Sequence, residues 1–182
     1  CIGEHFLSND EIDSLYIKNY TVASHFCRSE SKHGSSLILA KNSNPNVANT
    51  PDITNLSLEG HCEISAVRVP GYTVVSIYKP PNGSEECFLD TSEQILEILN
   101  NQRMSTIIMG DFNIHFNTRE RICLKFIDLV NSYGFEQQVF TNTRQNACLD
   151  NIFINFQDSK NYDINVYDLS LIHISEPTRR TP

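Results

Sequence analysis

Residues 107–116 read Ile-Ile-Met-Gly-Asp-Phe-Asn-Ile-His-Phe, an apolar run that stops at a Gly-Asp pair. Such a run predicts a buried strand, and glycine followed by aspartate predicts a sharp exit into a loop. If the extended conformation continues, Asp111 and Asn113 project to one side, because side chains alternate along extended backbone. A carboxylate beside an amide at a strand end can orient a water and bind a phosphoryl oxygen. The same residue types are also common turn formers, so a purely structural role remains open at this point.

The composition is that of an ordinary globular domain. The chain has 182 residues, of which 40% are hydrophobic and 20% charged. This suits one domain with a substantial core and excludes the disordered and membrane classes. The net charge of −8 argues against a general electrostatic grip on nucleic acid, which Lys and Arg normally provide. It is compatible with an enzyme that handles phosphodiesters through a cation held by carboxylates.

The spacing of the cysteines and histidines argues against disulfide bonds and a zinc site. The six cysteines have no CxxC spacing and several apolar neighbours, which predicts buried free thiols of a reducing compartment. The six histidines show no HxH or HExxH spacing, which argues against a zinc site. No apolar run approaches membrane-spanning length and no leader resembles a signal peptide, so we expect an intracellular protein without a membrane partner. Because the first residue is Cys1 and not Met, we expect a fragment.

The hydrophobic pattern predicts strands alternating with helices. Strands are predicted at residues 1–2, 20–26, 36–40, 62–69, 72–78, 149–156 and 162–167. A Pro-Gly dipeptide predicts that the fourth and fifth pair antiparallel, and residues 42–55, rich in Asn, Pro, Thr and Ser, predict an exposed connection. One helix is predicted from a capping box with Thr91 as N-cap to about residue 101, and a second over residues 119–133.

Three further polar residues stand at the ends of predicted strands or within them. Glu4 follows the first strand, and Tyr78 ends a strand that two prolines stop. Taken alone, Glu4 would be a solvated glutamate. Asp150 lies within an apolar strand, where a carboxylate is costly to bury. Either Asp150 faces solvent, or a specific partner holds it.

Four stretches, in this order along the chain, resemble the endonuclease/exonuclease/phosphatase superfamily, and within it the endonuclease domain of non-LTR retrotransposons. They are residues 2–7 (Ile-Gly-Glu-His-Phe-Leu), 75–81 (Val-Ser-Ile-Tyr-Lys-Pro-Pro), 109–113 (Met-Gly-Asp-Phe-Asn) and 148–153 (Cys-Leu-Asp-Asn-Ile-Phe). The resemblance implies an α/β fold over residues 1–168: a four-layer α/β sandwich of two packed mixed β-sheets flanked by helices. The site would lie at one edge of the sandwich.

The resemblance also implies a role for each polar residue. Glu4 would bind the divalent cation, usually Mg²⁺ with Mn²⁺ as an alternative. Tyr78 would contact the scissile phosphate, and Asp111 would activate or orient the attacking water. Asn113 would hold a phosphoryl oxygen, and Asp150 would orient a histidine further along. These roles agree with the chemistry, because a bound metal makes a nucleophile from water at neutral pH and uncharged donors stabilise the transition state.

The sequence departs from the family pattern at both ends. The family's first strand, whose Asn helps the metal site, is missing upstream of Cys1, and Gly3 stands where relatives commonly have a bulkier polar residue. The closing Ser-Asp-His triplet is absent. Residues 169–182 resemble the translation of a sequencing adaptor and are expected to be a non-native tail, whose His173 is not expected to replace the lost histidine. We therefore expect a fragment truncated at both ends, with an incomplete sheet and no activity of its own.

Three functions remain open. The first is a Mg²⁺-dependent endonuclease that nicks target DNA and leaves a 3′-hydroxyl for reverse transcription. Its parent protein would carry a reverse transcriptase domain and work in the nucleus and cytoplasm. The second is a phosphatase of the same fold that acts on a phosphoinositide or another phosphomonoester. The third is a non-catalytic retrotransposon remnant that at most binds nucleic acid.

Overall fold

The computed structural model of the chain describes residues 1–29, 34–44, 46–144, 146–156 and 164–167. The strands are β1 (Ile2–Gly3), β2 (Tyr20–Phe26), β3 (Ser36–Lys41), β4 (Ala48–Asn49), β5 (Glu63–Val69), β6 (Tyr72–Tyr78), β7 (Ser105–Asp111), β8 (Glu136–Gln137) and β9 (Asp150–Ile154). The helices are α1 (Asn9–Asp13), α2 (Pro51–Thr54), α3 (Glu85–Gln102) and α4 (Arg121–Ser132). Within the described ranges, no helix has the length and apolar character needed to cross a membrane.

The strands form two sheets that pack face to face, as predicted. The smaller sheet has the order β1-β3-β2 and is purely antiparallel in the described residues. The larger sheet has the order β4-β5-β6-β7-β9-β8. It is mixed, because the adjacent strands β6 and β7, which α3 connects along the chain, run parallel. The small sheet lies mainly against β5 and β6, while α3 and α4 cover the other face of the large sheet. The expected α/β sandwich is confirmed.

The apolar core lies between the large sheet and helices α3 and α4. Alternate residues of β5 and β6 point into it, and five phenylalanines meet there with ring centroids 5.0 to 6.4 Å apart. These rings are Phe88, Phe112, Phe116, Phe126 and Phe153. Because a fully buried phenylalanine contributes roughly 1.5–3 kcal/mol, this aromatic cluster is a major source of the domain's stability.

The interface between the two sheets contains a network of buried polar groups. The Ser36 hydroxyl lies 2.8 Å from the Ser65 hydroxyl and donates to the Ser76 carbonyl at 3.1 Å, and all three residues are buried. Glu63, which is fully buried, accepts hydrogen bonds from Arg28 Nε and from the backbone N–H groups of neighbouring loops. A buried carboxylate needs such partners, because an unpaired one would be strongly destabilising. Small hydroxyls and one paired charge therefore join the sheets.

The predicted start of the first long helix is wrong. Helix α3 begins after Ser84, whose hydroxyl accepts the N–H of Cys87, and Thr91 is a buried residue inside the helix. A Thr-x-x-Gln spacing also occurs in helix interiors, whereas two glutamates in the first turn favour the observed N-terminus through the helix dipole. The second predicted helix is confirmed as α4, and Gly134 follows it with φ of 77°.

The predicted exposed connection at residues 42–55 is also wrong in part. It contains β4 and α2, and Ile53 of α2 is fully buried. Pro51 occupies the first turn of α2, where its missing N–H is tolerated. The last predicted strand, at residues 162–167, is not formed in the described residues 164–167. Residues 162, 163 and the predicted tail at 169–182 lie outside the described part.

Candidate active site

Three neighbouring strands of the large sheet bring polar side chains to one edge. Because β6 and β7 are parallel, their carboxyl ends coincide, and Tyr78 is the register partner of Asp111. Strand β9 runs antiparallel to β7 and starts at this same edge, so Asp150 is the partner of Asp111 on the other side. Three residues predicted as functional are thus adjacent across the sheet. The carboxyl end of a parallel pair is where α/β sheets commonly place their sites.

The loop after β7 is anchored to the core by its apolar residues. Phe112 and Ile114 are buried. The N–H groups of Phe112 and Phe116 donate to the carbonyls of Leu149 and Cys148, just before β9, each at 3.0 Å. The expected extended backbone does not persist, since Asn113 has φ of 47°. Asn113 instead reaches the same side as Asp111 because its N–H donates to Asp111 Oδ1 at 3.1 Å. An aspartate that closes its own turn in this way replaces the alternation assumed from the sequence.

The amide of Asn113 is held in one orientation. Its Nδ2 donates to the carbonyl of Lys79 at 2.8 Å, and the N–H of Lys79 donates to the carbonyl of Asp111 at 3.0 Å. The residue after Tyr78 therefore ties the ends of β6 and β7 together and fixes the amide between them. Because a primary amide has two N–H donors, one remains for a ligand.

Glu4 comes from the other sheet. It follows β1, its N–H donates to the carbonyl of Ser35 at 2.8 Å, and its Oε1 accepts the hydroxyl of Tyr78 at 3.1 Å. Strand β1 passes close to the site, since a Cβ added to Gly3 would lie 3.6 Å from Tyr78 Cδ2 and 3.9 Å from Asp111 Cβ. The two sheets thus bring Glu4, Tyr78 and Asp111 to one place.

Unusual backbone conformations occur at this edge, as they do at other described positions of the chain. Glu4 has φ of 59° and Asn113 has φ of 47°, values that non-glycine residues rarely adopt. Gly110, just before Asp111, has φ of 154°, and a Cβ there would lie 1.8 Å from the carbonyl oxygen of Ile77. Strained positions of this kind cluster at functional sites, where the surrounding structure enforces them. This is an argument for function that does not depend on residue type.

The electrostatics of the site favour uncharged forms. Burial raises the pKa of the Asp111 carboxyl; the Arg144 guanidinium opposes this rise, and the Asp150 and Glu4 carboxylates add to it. Burial also raises the pKa of the Tyr78 phenol, with the nearby Glu4 carboxylate acting in the same direction. Tyr78 is therefore a neutral donor at physiological pH. Asp111 ionises less readily than an exposed aspartate does.

Arg144 is a site residue that sequence reasoning missed. Its Nη2 donates to Asp111 Oδ2 at 2.7 Å, and its Nε lies 3.9 Å from Asp150 Oδ2. The Asp150 side chain is 41% exposed, so the solvent-facing alternative raised for it holds. Arg144 is a charged neighbour, but its Nε is too distant for a hydrogen bond to Asp150. The described ionic neighbour of Asp150 is an arginine, whereas the resemblance implied a histidine. No spacing or motif marks Arg144, which lies in a loop of ordinary turn-forming residues.

A cleft of about 980 Å³ opens beside these residues. It combines charged and polar groups with an apolar wall. Its lining includes Gly3, Asp111, His115, Thr143, Arg144 and Asp150 among others, but not Glu4, Tyr78 or Asn113. His115, interpreted from sequence as a loop residue, is exposed in this wall. Of the predicted residues, Asp111 and Asp150 therefore line the cleft, and the other three lie outside its lining.

The donor set at this edge suits a hard cation. Within the described ranges, no three His, Cys, Asp or Glu side chains lie close enough to hold a metal ion together. Zinc sites need three or four protein ligands, whereas Mg²⁺ keeps several waters and binds through one or two carboxylates plus substrate phosphate. The carboxylates of Glu4 and Asp111 are the candidate oxygen ligands. Their residues are linked through Tyr78, by the bond to Glu4 and by the register pairing with Asp111.

Similar folds occur in solved structures of phosphate-ester enzymes. The endonuclease domain of TRAS1, a telomere-specific non-LTR retrotransposon, is 12% identical with a TM-score of 0.57, covering 75% of this chain and 65% of that one. The 3′ phosphatase NExo from Neisseria, bound to a product DNA hairpin, is 13% identical with a TM-score of 0.57, covering 84% and 74%. The mannosyl-6-phosphatase Bt3783 of Bacteroides thetaiotaomicron is 11% identical with a TM-score of 0.51, covering 84% and 68%.

These likenesses show that the chain has the fold of the endonuclease/exonuclease/phosphatase superfamily. The chain spans 65% of the length of the retrotransposon domain. A scan against protein-family models and a search of curated sequences find no match. The similarity of this chain to the solved structures is therefore a similarity of three-dimensional structure.

Proposed function

We propose that the chain is part of a divalent-cation-dependent phosphodiesterase, the endonuclease domain of a non-LTR retrotransposon that nicks DNA and leaves a 3′-hydroxyl. The single observation that carries this proposal is the convergence of three strand ends from two sheets. Tyr78 pairs in register with Asp111 and donates to Glu4. The fold likeness to TRAS1 supports the retrotransposon assignment.

The residues of the site divide the work of phosphodiester cleavage. Glu4 and Asp111 would hold Mg²⁺, which when bound would supply a polarised phosphoryl oxygen and a more acidic water. The Asp111 carboxylate would accept the proton of the attacking water, because Asp111 lines the cleft and the Asn113 N–H holds its Oδ1 in place. The second N–H of the Asn113 amide would donate to a phosphoryl oxygen. Tyr78, kept neutral, has one O–H, which donates to Glu4 in this structure. With a cation on Glu4, this O–H would turn to the scissile phosphate without adding negative charge.

A phosphomonoesterase is the second candidate. Two of the solved structures with this fold are named as phosphatases, one acting on a 3′ phosphate and the other on mannosyl-6-phosphate. The same constellation serves both reactions, because water attacks phosphorus in each and only the leaving group differs. A phosphoinositide or another phosphomonoester therefore remains the alternative substrate class.

The experiment is a comparison of substrates with matched variants. Supercoiled plasmid, a 3′-phosphorylated DNA hairpin and inositol phosphates are each incubated with wild type and Asp111→Asn in Mg²⁺ and in EDTA. Against the expectation of an inactive fragment, the proposal predicts plasmid nicking that EDTA and the substitution both abolish, because Glu4, Tyr78 and Asp111 lie together in this chain. Nicking that survives EDTA contradicts the metal mechanism. Turnover of phosphomonoesters alone favours the second candidate, and no turnover of any substrate favours a non-catalytic remnant.

A further inference from the structure

Arg144 supplies the positive charge in the cleft wall. Among the described residues that line the cleft, it is the only lysine or arginine. Its guanidinium donates to Asp111 Oδ2 at 2.7 Å and lies 3.9 Å from Asp150 Oδ2. Any anionic substrate that enters the cleft therefore meets this side chain beside the carboxylate proposed to handle the attacking water.

The backbone of Arg144 is fixed, whereas its tip is accessible. The N–H groups of Thr143 and Arg144 both donate to the carbonyl of Ala147, and the N–H of Ala147 donates back to the carbonyl of Arg144. The Thr143 hydroxyl accepts the N–H groups of Leu149 and Asp150. The side chain of Arg144 is nevertheless 52% exposed. The guanidinium can therefore swing away from Asp111 without a change in the loop that carries it.

A cation and Arg144 cannot both bind Asp111 Oδ2 without a cost. A divalent cation and a guanidinium on the same carboxylate oxygen would lie a few ångströms apart and repel each other. A phosphate group gives the displaced guanidinium a new acceptor, and its planar fork matches two phosphate oxygens. The released side chain would remain in the cleft lining, where it could contact a bound phosphodiester.

We infer that Arg144 is a substrate-binding residue that is held on Asp111 until a divalent cation takes over this carboxylate. The inference rests on the proposed function, because it assumes a cation site at Asp111 and a phosphate-containing substrate. In the absence of a cation, the arginine neutralises Asp111. In its presence, the arginine binds the phosphate.

Two affinities of the full chain test this exchange. Mn²⁺ binding is followed by electron paramagnetic resonance, and binding of a fluorescent DNA duplex is followed by anisotropy in Ca²⁺. Wild type is compared with Arg144→Gln and with Arg144→Lys, which keeps the charge but loses the fork. Arg121→Gln, at an exposed position of α4 outside the cleft lining, is the matched control. Circular dichroism confirms that each variant is folded.

The expected signature is a pair of opposite changes. Arg144→Gln binds Mn²⁺ about tenfold more tightly, because the competing charge is gone, and binds DNA about tenfold more weakly, because the phosphate contact is lost. Both affinities of Arg144→Lys lie between those of wild type and Arg144→Gln. Both affinities of Arg121→Gln stay within twofold of wild type. If Arg144 had only a structural role, its substitution would weaken the affinities for both Mn²⁺ and DNA. That result, or an unchanged Mn²⁺ affinity, overturns the inference but leaves the proposed function standing. A wild type that binds neither Mn²⁺ nor DNA overturns both.

Discussion

The hydroxyl of Tyr78 donates to Oε1 of Glu4 at 3.1 Å, and this bond joins the two sheets at the edge where Asp111 lies. Tyr78→Phe removes the donor while keeping the ring, which is 3% exposed. A hydrogen bond to a charged group contributes about 1.5–3 kcal/mol, and half-exposed Glu4 regains some of this from water. We therefore expect thermal unfolding to show a loss of about 1 kcal/mol, together with a loss of phosphodiesterase activity.

Tyr16→Phe is the control for this prediction, because Tyr16 is 85% exposed. It should leave both stability and activity unchanged. Full activity in Tyr78→Phe would show that the phenol has no part in the reaction.

Two substitutions of Asn113 separate its amide from its backbone. Asn113→Gly removes the amide but suits φ of 47°, whereas Asn113→Ala removes the amide and keeps the strain. Chemical denaturation should show Asn113→Ala to be less stable than Asn113→Gly by about 1 kcal/mol. Both should lower the rate of phosphodiester cleavage by about 10²–10³-fold, the usual effect of losing one oxyanion donor. Equal rates in Asn113→Gly and wild type would mean that the amide is structural.

Gly110→Ala should be the most damaging small substitution at the site. The added Cβ would lie 1.8 Å from the carbonyl oxygen of Ile77, so β6 and β7 would have to separate. We expect a loss of more than about 4 kcal/mol, or failure to fold. Gly71→Ala is the matched control, because Gly71 has φ of 88° with no atom within 4 Å of the added Cβ. Gly71→Ala should lower the free energy of unfolding by only about 1 kcal/mol, through backbone strain. Comparable losses of stability at Gly110 and Gly71 would contradict the close approach of Gly110 to the Ile77 carbonyl.

Asp111→Asn should stabilise the protein in a pH-dependent way. The pKa of Asp111 is raised above its ordinary value of 3.8, chiefly by burial, so the folded state disfavours the ionised carboxyl. This penalty is fully present above the raised pKa and is lost as the pH falls to 3.8 and below, where folded and unfolded chains both hold the proton. Thermal unfolding should therefore show Asp111→Asn to be more stable at neutral pH by an amount on the order of 1 kcal/mol.

The gain from Asp111→Asn should fade as the solution is acidified. Asp90→Asn, at an exposed position of α3, provides the comparison. A gain that stays constant between neutral and acidic pH would mean that the buried charge is not its cause.

Sequence patterns located most of the framework. The strands that became β2, β5 and β6 were predicted within one residue of their bounds, because apolar runs flanked by Gly, Pro and Ser have few alternative conformations. Helix α3 was placed too late, since a capping-box spacing cannot distinguish an N-terminus from a helix interior. Residues 42–55 were misjudged because the burial of Ile53 depends on contacts with distant strands.

The site was less accessible to sequence reasoning. Strand ends and turn-forming residues in the sequence indicate where polar groups gather, and the register places Tyr78, Asp111 and Asp150 side by side. The catalytic and metal-binding roles of these residues stay predictions. Arg144 could not be found, because its ion pair with Asp111 joins positions 33 residues apart and depends on how the loop before β9 folds. The left-handed backbone of Asn113 was likewise set by a side-chain contact that no periodicity encodes.

The central claim is that Glu4 and Asp111, from different sheets, hold one divalent cation between them. Calorimetric titration of Mg²⁺ into wild type, Glu4→Gln and Asp111→Asn tests it without reliance on turnover. The account predicts one site in wild type and a loss of at least about tenfold in affinity in each variant, because each removes one negatively charged ligand. Wild-type affinity in Glu4→Gln, or two independent sites of which each variant loses only one, would contradict it.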